Sequence, residues 1–164
     1  MSIRPAYSNW PRYNRAIRQV VAGLSAEQLA IKPTAERWPL WATVGHVACQ
    51  RVFSLCDFAG EPGVESTPFP DAGSDCPGDD DLEHVWTSEA LVAALDSTFA
   101  IVEGCLDRWS LDMLDEVIHA SWDPQRALSR GSILQRVFAH DISHAAELNE
   151  ALGRAGLIQI DFWD

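Results

Sequence analysis

Apolar residues recur along most of this chain at intervals of three and four, which is the period of an amphipathic helix. The most regular run joins Val92, Leu95, Phe99, Val102, Leu106 and Trp109. Similar patterns predict further helices over about residues 6–23, 41–59 and 132–152, and no strand pattern competes with them. Four antiparallel helices of this kind favour an all-α protein, a four-helix bundle, as the fold class.

Residues 60–86 separate the second and third helices and are rich in Gly, Pro, Asp and Ser. A loop of this length is uncommon in a compact domain unless it crosses the bundle or covers a site. It is not predicted to link two domains, because the helices on either side are too few to fold alone. The sequence therefore predicts one domain over residues 1–164, with a short turn and an irregular stretch at 110–129.

Acidic residues outnumber basic ones by 24 to 12, which gives a formal net charge of −12. Such a surface repels phosphate, so binding to nucleic acid or to an anionic membrane is not expected. No apolar run approaches the roughly 20 residues that span a bilayer, and the first residues lack the apolar stretch of a signal peptide. We therefore expect a soluble, cytoplasmic protein that acts on a small molecule. Trp10, Trp86 and Trp122 are candidates for the exposed face of a homodimer.

Four cysteines occur, at positions 49, 56, 76 and 105, and none belongs to a CxxC motif. Cys49 and Cys56 are seven residues apart on one predicted helix. That spacing is about 10 Å along the helix axis, which is too far for a disulfide. Reduced thiols are therefore expected in a protein of the cytoplasm.

Two histidines, His140 and His144, lie four residues apart on the inward stripe of the fourth helix. Side chains at this spacing share one helix face, with Cβ atoms roughly 5–6 Å apart, and buried imidazoles need polar partners. His46, on the apolar second helix, supplies a third imidazole. Each could be a core histidine bonded to a nearby backbone group or carboxylate. The alternative is a divalent metal, because three protein ligands plus water are typical of an open, reactive site.

Three side chains close to these histidines have more than one interpretation. Cys49 and Gln50 follow His46 by three and four residues, so both are expected to line the site. Cys49 is either a fourth ligand or simple core packing. Glu147 follows His144 by three residues. Three roles are open to it: accepting a hydrogen bond from the His144 ring, acting as a general base, or lying in solvent.

The remaining polar candidates are expected at the surface. His84 and His119 lie in or beside loops. The three consecutive aspartates at 79–81 lack the spacing of an EF-hand calcium loop, so a solvated acidic loop is predicted there.

Several segments resemble a known family. Residues 38–46 read WPLWATVGH, residues 130–132 read RGS, and residues 140–144 read HDISH. Together with Leu152-Gly153 and the acidic aromatic tail, they resemble the DinB/YfiT-like superfamily of metalloenzymes, which is unrelated to the DNA polymerase of similar name. The resemblance spans nearly the whole chain. It implies a four-helix bundle of 1-2-4-3 order, which the long loop fits, and a metal bound by the three histidines.

Imidazole ligands do not by themselves select the metal. Zinc and nickel are the first expectations, with iron, cobalt and manganese also compatible. Characterised relatives include mycothiol- and bacillithiol-dependent enzymes, so the resemblance implies a metal-dependent transferase that uses a low-molecular-weight thiol such as these or glutathione. A metal-dependent hydrolase and a non-catalytic metal-binding stress protein with a filled coordination sphere are the alternatives. The sequence identifies no catalytic side chain besides the ligands, and fold alone does not choose among these functions.

Overall fold

The computed structural model describes residues 1–73, 76–79 and 81–163, and helices make up most of this part of the chain. The α-helices are α1 Trp10–Ala22, α2 Ala26–Leu29, α3 Leu40–Val52, α4 Ser88–Arg108 and α5 Arg130–Arg154. Short 3-10 helices cover Arg4–Tyr7, Val64–Ser66 and Leu111–Asp115. The four long helices that the periodicity predicts are therefore present, and the 1-2-4-3 order stays a prediction.

A small antiparallel sheet occupies most of the stretch that was expected to be irregular. Strand β1, Val117–Ala120, pairs with strand β2, Asp123–Ser129, beginning with Val117 opposite Ser129. The expectation of a protein without strands is wrong in this detail. The first five residues of β2 are exposed, so the strand lacks the apolar–polar alternation by which a half-buried strand is recognised.

Helix α3 lies at the centre of the fold, against α4 on one side and α5 on the other. Gln50 is its one residue that is not buried, which confirms the prediction of a helix that is apolar around most of its circumference. Beyond Val52 the chain continues as a π-helix, Phe53–Phe58. Helix α1 packs on α4 and reaches α5 through the edge-to-face contact of Trp10 with Phe138.

A buried ion pair joins α3 to α5 within this apolar core. Arg51 Nη2 lies 2.8 Å from Asp141 Oδ2, with the two side chains 0% and 3% exposed. Trp10 Nε1 donates a 2.9 Å hydrogen bond to the same carboxylate, and Arg51 also donates to the Leu95 carbonyl and lies over the Phe99 ring. Trp10 is only 1% exposed, so the expectation that it forms an exposed homodimer face is wrong.

The long loop after α3 is tied back to that helix by a disulfide between Cys49 and Cys76. The expectation of reduced thiols is therefore wrong for this pair. It is confirmed for Cys56 and Cys105, which are free and lie buried. Helix spacing excludes only a bond between Cys49 and Cys56. It carries no information about Cys76, which reaches α3 because the loop returns to the bundle.

No helix among the described residues is both long enough and apolar enough to cross a lipid bilayer.

Candidate metal centre

Three histidines from two helices meet at one point. His140 Nε2 lies 3.0 Å from His46 Nε2 and 3.1 Å from His144 Nε2. A ring nitrogen of a neutral imidazole has either one proton or one lone pair. His140 Nε2 therefore cannot form good hydrogen bonds with both neighbours at once, whereas one cation accepts a lone pair from all three nitrogens. The residues present thus fit a divalent metal, and they are the one group of this kind among the described residues.

The protonation state of His140 suits metal binding. Burial, and then the nearby positive charge that His144, His46, Arg51 and Arg136 can carry, lowers the pKa of His140 to about 3. The imidazole is consequently neutral at pH 7, with a lone pair available. His46 is 5% exposed on α3, and the other two histidines are half-buried on one face of α5, as their spacing predicts.

Carboxylates lie behind two of the three rings. Glu147 Oε2 is 2.8 Å from His144 Nδ1, and Asp79 Oδ2 is 3.3 Å from His46 Nδ1. A carboxylate hydrogen-bonded to Nδ1, as Glu147 is, holds the proton there and directs the Nε2 lone pair at a metal, whereas Asp79 approaches His46 at ion-pair distance. The geometry therefore favours the hydrogen-bond acceptor among the interpretations of Glu147. His140 Nδ1 is buried and has no hydrogen-bond partner among the described residues.

Asp79 is the site residue that sequence reasoning missed, because it was assigned to a solvated acidic loop. The Asp79 side chain is half exposed, as predicted for such a loop, but its carboxylate also contacts His46. Asp81 Oδ1 accepts hydrogen bonds from the backbone N–H groups of Glu83 and His84. Asp80 lies outside the described residues. His84 and His119 are exposed, as predicted.

The segment that carries Asp79 is pressed against α3 by close contacts. Gly78 has φ +90°, and a Cβ at this position would lie 2.7 Å from the Trp38 ring. Trp38 in turn packs on His46, with ring centroids 4.9 Å apart. The bond between Cys76 and Cys49 anchors the segment one helical turn from His46. Residues 76–79 of the long loop therefore lie against the site, and covering a site is one of the two roles that the length of the loop suggested.

Two cavities border the histidines. The first has a volume of about 220 Å³ and is lined by Pro33, Glu36, Arg37, Trp38, Leu40, Thr43, His144, Glu147, Leu148 and Glu150. The second, of about 70 Å³, has His140 and Gln50 in its wall, so Gln50 lines the site as expected. Cys49 does not join the cluster as a thiolate ligand, because its sulfur is bonded to Cys76.

A family model described as the DinB superfamily matches residues 12–148, most of the chain. The chain belongs to the DinB superfamily. The match includes His46, His140 and His144, so the three-histidine cluster lies within the part of the chain that the superfamily shares. The resemblance inferred from the sequence is thereby confirmed.

Two solved structures share this fold, and one of them is of a DinB-like protein. A DinB-like protein from Bacillus cereus superposes with a TM-score of 0.71 at 14% identity, covering 98% of this chain and 96% of its own. A conserved protein from Enterococcus faecalis superposes with a TM-score of 0.66, also at 14% identity, over 93% and 99% of the two chains. At this identity the similarity concerns the fold. A search of curated protein sequences gave no significant match.

Proposed function

We propose that this DinB-superfamily chain is a metal-dependent transferase that acts with a low-molecular-weight thiol. The observation that carries the proposal is the convergence of three Nε2 atoms with no fourth protein donor joining them among the described residues. Three ligands and a free position are typical of reactive rather than structural sites. Zinc or nickel is the first expectation for the metal, with iron, cobalt and manganese next.

A divalent ion held there would supply Lewis acidity, which lowers the pKa of a thiol that reaches it. The protein's own side chains prepare the position. Glu147 fixes the ring of His144, and Arg37 holds the second oxygen of Glu147 at 3.3 Å. The cavity of about 220 Å³ beside these residues gives a small molecule access to the histidines.

The cysteines of the chain favour an external thiol over a protein nucleophile. Cys49 is bonded to Cys76. Burial, reinforced by nearby carboxylates, raises the pKa of Cys56 to about 11, and burial raises the pKa of Cys105 further. Both therefore stay protonated and unreactive at neutral pH. Sulfur chemistry at this site would need a cosubstrate, and mycothiol, bacillithiol and glutathione are the candidates implied by the family.

The test combines metal analysis with turnover. Zinc- or nickel-loaded protein is incubated with each of these thiols and a panel of electrophiles, including 1-chloro-2,4-dinitrobenzene, and thioether formation is followed. We expect one mole of metal per mole of chain and metal-dependent turnover with one thiol. His144→Ala should lose both, because it removes a ligand. His119→Ala, which removes an exposed histidine outside the cluster, is the matched control and should retain both.

Three outcomes would reject the proposed transferase. Metal binding without thiol-dependent turnover, but with hydrolysis of ester or amide substrates, would favour a metal-dependent hydrolase instead. A cobalt-substituted sample whose visible spectrum does not respond to added thiol or azide would indicate a closed, non-catalytic site. Equal metal content in His144→Ala and the unmodified protein would show that the three histidines are not the ligands.

A further inference from the structure

The second cavity beside the histidines is bordered by two arginines without carboxylate partners. We propose that this cavity binds the carboxylate of a small organic acid with a short apolar stem. The proposal is argued from the walls of the cavity and does not depend on the function proposed above.

The charge of these walls differs from the rest of the chain. The net charge of the chain is −12, and most of its arginines lie within 4 Å of a carboxylate. Arg126 and Arg136 both line the cavity, and neither has an ion pair or hydrogen bond in the part of the chain that the structure describes. Two exposed arginines without a charged partner among the described residues therefore border the same small space, and guanidinium is the side-chain group that best matches a carboxylate.

The cavity also adjoins the metal centre. Arg136 lies four residues before His140 on α5, so the two side chains share a helix face, and both are in the cavity wall. An acid held by Arg136 would therefore lie against a predicted metal ligand.

Another part of the wall comes from the π-helix that continues α3. Phe53, Ser54 and Phe58 line the cavity together with Gln50 of the preceding turn. π-Helical turns are rare and occur frequently at functional sites. Phe53 and Phe58 also contact the Trp122 ring of the hairpin, at centroid distances of 5.4 and 5.6 Å. The hairpin thus packs against two of the aromatic side chains in the cavity wall.

This combination specifies the chemical class of the ligand. The guanidinium groups would take the carboxylate, Gln50 and Ser54 provide hydrogen bonds, and the phenyl rings accommodate the apolar stem. A volume of about 70 Å³ suits a short-chain acid rather than a peptide or a nucleotide. A neutral molecule of the same shape would not engage the arginines, so charge should decide binding.

The test compares butyrate with butyramide, which has the same shape without the charge. Each is titrated into ¹⁵N-labelled protein, both zinc-loaded and stripped with a chelator, and the dissociation constants are obtained from backbone amide shifts. We expect butyrate to bind in both forms, with shifts centred on residues 126–136 and at least tenfold tighter than butyramide. Arg126→Gln and Arg136→Gln should each weaken butyrate about tenfold or more. Arg15→Gln is the matched control, because Arg15 is an exposed arginine of α1 outside both cavities.

The proposal is overturned if butyrate and butyramide bind equally, if neither arginine variant changes the dissociation constant, or if Arg15→Gln changes it as much. Thermal melts of each variant establish that it is folded. The stripped protein separates this inference from the function proposed above. Butyrate binding that survives metal removal supports the arginine site even where the transferase assay fails, and normal metal-dependent turnover without butyrate binding rejects only the acid site.

Discussion

Reduction of the Cys49–Cys76 bond should weaken both the fold and the metal centre. The bond fastens the segment at residues 76–79 to α3, and Asp79 on that segment contacts His46 Nδ1. Once the bond is broken, the segment is held only by noncovalent contacts such as that between Gly78 and Trp38. Unfolding then costs less free energy, and Asp79 spends less time against His46.

The size of the enclosed loop sets the magnitude. The two cysteines are 27 residues apart in sequence, and the chain-entropy relation gives about 3.5 kcal/mol for a loop of that length. Metal affinity should fall by about 10- to 100-fold if the carboxylate behind His46 is displaced, which is the usual effect of losing such a partner. The loss of stability arises because the unfolded chain gains conformational freedom. The loss of metal affinity arises in the folded protein, at the site itself.

Both effects are measurable on one sample. Urea unfolding, followed by tryptophan fluorescence with and without tris(2-carboxyethyl)phosphine, gives the change in stability. Competition for zinc with a chromophoric chelator gives the change in affinity. The Cys49→Ala, Cys76→Ala double variant is the control, because the reductant should have no effect on it and its values should match those of the reduced protein.

A urea midpoint that is the same in oxidised and reduced protein would refute the stabilising role of the bond. An unchanged zinc affinity would refute the coupling between the bond and the site, even if stability falls. Equal response of the double variant to the reductant would show that the reductant acts elsewhere, for example by binding the metal itself.

The other predictions concern the carboxylates. Asp79→Asn should reduce zinc affinity about tenfold or more without moving the urea midpoint, because the Asp79 side chain is half exposed. Arg51→Met should cost about 3–5 kcal/mol in urea unfolding, because it leaves the Asp141 carboxylate buried without its cation, and Arg51→Met, Asp141→Leu should recover much of this loss. Burial alone would raise the pKa of Glu61, but its bonds to arginine and tryptophan side chains hold that pKa below the ordinary value. The ionised Glu61 therefore stabilises the folded protein fully above about pH 4.5, and this contribution is lost as the pH falls through the folded-state pKa. The urea midpoints of Glu61→Gln and the unmodified protein should accordingly converge in acid.

Helical periodicity was sufficient to predict the long helices and two of the three site histidines. His140 and His144 could be assigned to one face because an α-helix fixes the relation between positions four apart. His46 could be added only from the apolar character of its helix and from the family resemblance. The part of the site built on regular secondary structure was thus predictable from local spacing.

The features that sequence reasoning missed depend on contacts that local side-chain patterns do not reveal. Asp79 and Cys76 contact α3 from the segment at residues 76–79, and no periodic pattern in the sequence indicates that this segment returns to the helix. The β1–β2 hairpin is held by backbone pairing between largely exposed residues, so its side chains carry little signal. Arg51 was overlooked because arginine is rarely buried unless it is paired, and its partner lies 90 residues away.

The Arg51–Asp141 pair joins α3 to α5, which are the two helices that carry the three site histidines. Asp141 immediately follows His140, and neighbouring side chains on a helix point about 100° apart. Helix α5 therefore turns Asp141 toward Arg51 and Trp10 in the same rotation that turns His140 toward His46. A buried ion pair is weak evidence for stability but is well suited to fixing register. We infer that this pair sets the rotation of α5 against α3, so the alignment of the three Nε2 atoms depends on a core interaction that contributes no ligand.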